Sequence, residues 1–125
     1  LPSDQASIHK RRTRVLEELA EKSDGDQRDQ WIRQLADTIS VAVQAGGYPS
    51  GVKRLQSLEK QLGSSPSDRD LLAYVGLRHI TANYAHALAQ PNADFPKIQA
   101  DYLEALQAFV DKYPNAIKIS LKRSA

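Results

Sequence analysis

The chain has 125 residues, 41% hydrophobic and 26% charged, the composition of one ordinary globular domain rather than a disordered segment. Seventeen basic against fifteen acidic residues leave a formal charge of +2, too small by itself to imply a nucleic-acid partner. There is no cysteine, which excludes disulfides, thiolate catalysis and Cys-ligated metals within this chain, and no apolar run approaches the ~20 residues a membrane span needs.

Apolar spacing and breakers predict five helices. The first runs from about Ser3 to Ser23, with Ile8, Val15, Leu16 and Leu19 on one stripe and Arg12 laying its methylenes along it. Asp24-Gly25-Asp26 reads as a turn, with Gly25 suited to a left-handed C′ position. The second helix, about Asp26 to Ala45, places Trp31, Ile32, Leu35, Ile39, Ala42 and Val43 on one face and ends at Gly46-Gly47. The third opens at Tyr48-Pro49, carries Val52, Leu55, Leu58 and Leu62, and stops at Gly63.

Ser65-Pro66-Ser67-Asp68 reads as a capping box before a fourth helix reaching about Gln90. That helix is apolar on two sides: Tyr74, Leu77, Ile80, Tyr84 and Leu88 on one, Leu71, Leu72, Val75, Ala82 and Ala89 on the other. Two apolar faces predict a helix sandwiched between neighbours, hence the centre of the array. Asp94 is the expected N-cap of the fifth helix, whose stripe is Phe95, Ile98, Tyr102, Leu106, Phe109 and Tyr113. Short loops predict that successive helices pack antiparallel. The expected fold is therefore all-α, a five-helix antiparallel array spanning 1–116, followed by a tail at 117–125. In the tail, Ile117, Ile119 and Leu121 alternate with polar residues at the period of a strand. An end that abandons the helical pattern, and a start at Leu1 rather than Met, suggest a piece of a longer protein.

The pattern Tyr102-x-x-Ala105-x-x-x-Phe109-x-x-x-Tyr113-Pro114-Asn115 resembles helix B of a tetratricopeptide repeat and its exit turn, with Leu72, Val75-Gly76 and His79 loosely matching helix A. Over Leu71 to Ala116 the chain also resembles the helical region that precedes the thioredoxin-like domain in bacterial envelope proteins of the TlpA/redoxin kind. The first resemblance implies tetratricopeptide-like packing in the C-terminal half. The second implies an extracytoplasmic setting and a redox function residing in a Cys-x-x-Cys domain outside this chain.

The residues offer little chemistry. His79, Asn83 and His86 share a helix side, but two imidazoles seven residues apart stand about 10 Å apart along the axis. Helix–helix hydrogen bonding is the expected role, with no metal ligand set and no cofactor. His9-Lys10-Arg11-Arg12-Thr13-Arg14 is the one basic cluster. Its charges are spread around a helix and are followed by Glu17, Glu18 and Glu21, so a solvated face is expected rather than a nucleic-acid site. No nucleophile–base arrangement or phosphate loop occurs, and Gly46, Gly47 and Gly51 are spaced for turns. The expected function is a non-catalytic scaffold or interaction module. Its expected surface is the flank of the fifth helix and the tail, through Leu103, Phe109, Val110, Tyr113, Ile117, Ile119 and Leu121. A protein partner, or a second copy, would cover it.

Overall fold

The computed structural model describes residues 2–115; Ile117, Ile119 and Leu121 lie outside them. The described chain is five α-helices and no strand: α1 Pro2–Glu21, α2 Gly25–Gln44, α3 Gly51–Leu62, α4 Arg69–Leu88 and α5 Phe95–Lys112. A single 3₁₀ turn, Pro66–Asp68, leads into α4.

Helices α1 and α2 run antiparallel, with Ala20 near Ile32 at one end and Gln5 near Ala45 at the other. Helix α4 packs on α2, α3 and α5, the central position its two apolar faces predict. Leu71, Val75 and Ala82 join Leu35, Ala36, Ile39, Leu55 and Leu62 in the main core. The opposite side contributes Ala73, Leu77 and Ile80 to a smaller core closed by Phe109 and Tyr113. Pairing of Arg69 with Lys112 and of Tyr84 with Tyr102 makes α4 and α5 antiparallel.

The helix ends explain much of this geometry. After α2, Gly46 takes a left-handed φ of 82°, and the Gly46 and Gly47 amides donate to Val43 O and Ala42 O, the Schellman pattern. At the start of α5 the Asp94 carboxylate accepts the Lys97 amide at 3.2 Å, the N-cap bond expected of it. The last carbonyl of α5, Lys112 O, accepts from the Arg69 guanidinium at 2.6 Å, so α4 itself caps α5.

Several local expectations give way. Gly25 does take a left-handed φ, 57°, but it opens α2 instead of closing α1. Ser65 has the N-cap backbone without a capping bond; its hydroxyl meets Ser67, and Asp68 turns to the Arg28 guanidinium at 3.0 and 3.2 Å. A fork-shaped ion pair to α2 outcompetes the local capping box, because a bidentate charged pair is roughly twice as strong as a neutral bond. The hydrogen bond to Asp68 raises the Arg28 pKa above its ordinary value, against the opposing effect of burial.

Helix α3 begins at Gly51 rather than at Pro49. Gly51 is a contact residue: a Cβ there would fall 2.5 Å from Val43 Cγ2 and 2.9 Å from Ile39 Cγ2. The glycine lets the backbone of α3 touch the side chains of α2.

Parallel packing of α2 and α4 is held by polar groups at its edge. The Tyr74 hydroxyl donates to Asp37 at 2.7–2.8 Å, and Arg78 Nε donates to the same carboxylate at 2.9 Å while its guanidinium covers the Tyr74 ring. Burial first, and then the bond to Asp37, push the Tyr74 phenol above its usual pKa. A phenol whose folded pKa is raised holds its proton in the fold after the unfolded chain has lost it. The associated stability is present below the unfolded value, about 10, and is lost as pH rises toward the folded one. Tyr74→Phe should therefore flatten the alkaline fall in stability, read as the urea midpoint from about pH 9 to about pH 11. Identical slopes in the two proteins would remove this account.

Candidate functional site

On α1, a helix expected to bury Ile8, Val15, Leu16 and Leu19, the inner stripe is instead Ala6, His9, Thr13, Leu16 and Ala20. Small residues bring α1 close to α2, the buried Thr13 hydroxyl is satisfied by Lys10 O at 2.9 Å, and His9 stacks on Tyr48. Ile8, Val15 and Leu19 form a second stripe at spacing 7 and 4, rotated toward solvent; Val15 is 56% exposed.

This second stripe flanks an open groove of about 500 Å³ between α1 and α2, lined by Ile8, Val15 and Leu16 with Gln34 and Thr38 opposite. The charges lining it are Arg11 and Arg12. The adjoining side of α2 is uncharged through Gln27, Gln30, Gln34, Thr38 and Val41; Arg28, Asp29 and Arg33 lie elsewhere around the helix, while Asp37 and Asp26 border this side beyond Gln30. The groove thus combines an apolar floor with a positive rim. Within the basic cluster, Lys10 and Arg14 face solvent away from this groove, and Glu17 pairs across to Arg54 of α3 rather than along its own helix.

The surface expected on α5 is divided by the structure. Phe109 and Tyr113 are 7% and 8% exposed, members of the smaller core against Ala73, and so are corrected from docking residues to packing residues. Leu103 and Val110 lie outside, Leu103 at 65% exposure. Phe95, expected in the buried stripe, is exposed because antiparallel register carries the first turn of α5 past the end of α4 at Leu88.

Between α4 and α5 lies a narrower cleft of about 240 Å³ lined by His79, Asn83, Tyr84, Asp101 and Tyr102. The Tyr84 and Tyr102 rings stack with centroids 4.0 Å apart. His79 Nδ1 is hydrogen-bonded to Glu59, fastening α4 to α3. His86 meets Gln90, just past the end of α4, while His79 is held by Glu59, so the imidazoles do not converge. Within the cleft the Tyr84–Tyr102 stack joins α4 to α5, and Asp101 pairs with Lys97 of its own helix.

No protein-family model matches this chain. Comparisons with curated proteins and with solved structures likewise found no match. No helix among the described residues is long and apolar enough to cross a membrane.

The periodicity of α1 contained the signal for the groove. Its apolar residues occupy two adjacent stripes, too wide an arc for one neighbouring helix to bury. A helix at the edge of an array covers only one of them.

Proposed function

We propose that this chain is a non-catalytic protein-interaction module whose docking face is the α1–α2 groove. The observation that carries the reading is the groove's composition: exposed Ile8 and Val15, an uncharged opposite wall and a rim of Arg11 and Arg12. A helix laid into such a groove would bury the second stripe of α1 and extend the array by one helix. The resemblance of Leu71–Ala116 to the helical region before a thioredoxin-like domain supports placing the module in a larger envelope protein, as an accessory to a thiol–disulfide oxidoreductase. A Cys-x-x-Cys downstream in the same reading frame would support that placement, and a complete frame without one would sink it.

A synthetic amphipathic peptide of Leu and Glu heptads, titrated into isotopically labelled protein, tests the docking face. Amide shifts should concentrate around Ile8, Val15, Gln34 and Thr38. Val15→Asp, at an exposed position, should leave the helical circular dichroism intact and weaken binding by about tenfold or more. Shifts elsewhere, or none at these residues, would count against the reading.

A further inference from the structure

The main helix contacts form a series: α1 on α2, α2 on α4 with α3 against both, and α4 on α5. Helices α1 and α5 are thus the two ends of the array among the described residues, and each leaves one side uncovered. The uncovered side of α1 is the groove with the Arg11 and Arg12 rim. The uncovered side of α5 has a matching form.

At 100° per residue, Gln99, Val110, Leu103, Gln107 and Ala100 occupy one continuous uncharged arc of α5, with Leu103 and Val110 as its large apolar groups. All five are exposed, and the arc is bounded on one edge by Asp111 and Glu104, seven residues apart and also exposed. The Asp111 carboxylate accepts the Gln107 amide at 3.0 Å, a bond on the same surface that leaves its charge in place. Lys97 and Lys112, the basic residues of α5, lie further round on that same side, beyond Glu104, where Lys97 pairs with Asp101 at 3.7 Å. One end of the array therefore carries an apolar groove with a positive rim, and the other an apolar ridge with a negative rim.

We propose that the occupant of the groove is a second copy of this chain, its α5 ridge seated between α1 and α2. Leu103 and Val110 pack on Ile8, Val15 and Leu16, while Glu104 and Asp111 face Arg11 and Arg12. The proposal rests on the docking reading of the groove and names its partner. Because the two surfaces differ, the contact is heterologous: each copy keeps one free end, so association continues head to tail instead of stopping at a symmetric pair. The charges set direction and register, and the apolar stripes supply most of the buried area.

Sedimentation velocity on the full chain, from micromolar to millimolar concentration, tests this. Mass should rise with concentration without levelling at a dimer, and added salt should weaken the association by screening the rims. Two charge-reversed proteins sharpen the test. One carries Arg11→Glu and Arg12→Glu, the other Glu104→Lys and Asp111→Lys, all at exposed positions, with circular dichroism as the folding control. Each alone presents like charges at the contact and should self-associate about tenfold more weakly or worse. Their equimolar mixture should associate again, since the acidic groove of one meets the basic ridge of the other. A chain that stays monomeric throughout, or whose association ignores both reversals, overturns the proposal. If that monomer still binds the Leu and Glu heptad peptide in the groove, the second copy is the wrong occupant and the docking reading stands. If the monomer instead binds phosphatidylglycerol vesicles through the groove, the occupant is a membrane surface and the proposal fails.

Discussion

Ile39→Ala is expected to destabilise the fold by about 2–5 kcal/mol, the usual cost of emptying a fully buried aliphatic site. Ile39 is wholly inaccessible and sits with Leu35, Ala36, Leu55 and Val75 where α2, α3 and α4 meet. Three helices share its side chain, so the hole cannot be closed by moving one of them. The loss should appear as a lower urea midpoint and a melting temperature reduced by about 4 °C for each kcal/mol. By contrast Val41→Ala, two residues away on the exposed side of the same helix, should change stability by less than about 0.5 kcal/mol. Similar losses at both positions would contradict the assignment of the core.

Gly51→Ala should cost about 1–3 kcal/mol by overpacking. The added methyl meets Val43 and Ile39, both β-branched and both held in a helix where χ1 is nearly fixed, so neither can swing aside. The helix propensity gained from alanine, about 1 kcal/mol, acts in the opposite direction and is exceeded. A double-mutant cycle with Val43→Ala isolates the clash: in the Val43→Ala background the penalty at Gly51 should shrink markedly. Additive losses would mean that the two residues do not press on each other. Gly46→Ala gives the comparison at a turn, where no neighbour lies near the missing Cβ and the cost arises from the left-handed φ alone.

The helices were legible because each buries a stripe with a clear period, and because Gly46, Gly63 and Pro91 interrupt those stripes. The central place of α4 was legible too, since two apolar faces demand two sets of neighbours. Ser65 and Asp68 show where local reading stops. Their spacing suits a capping box, yet Asp68 is claimed by Arg28, forty positions away, and nothing local announces that pairing. Gly51 is a similar case. Its spacing suits a turn, and only the arrival of α2 shows that the missing side chain is the point. The candidate surface divides along the same line. Leu103 and Val110 lie outside the α5 stripe and remain outside, while Phe109 and Tyr113 belong to the stripe and are consumed by packing. On α1 the sequence shows two adjacent apolar stripes, but not which of them is inside, because Ile8, Val15 and Leu19 look like a core stripe.

The amino-acid sequence by itself determined the helix count, the order of breaks and the double burial of α4. Those follow from period, capping chemistry and the drive to remove apolar area from water, all short-range or composition-level properties. Only the tertiary structure decided which stripe of α1 is inside. Ala6, Thr13 and Ala20 pack there because they let two helix axes approach closely, a gain that exists only once α2 is alongside. The larger apolar residues Ile8, Val15 and Leu19 are left at the edge, beside Arg11 and Arg12.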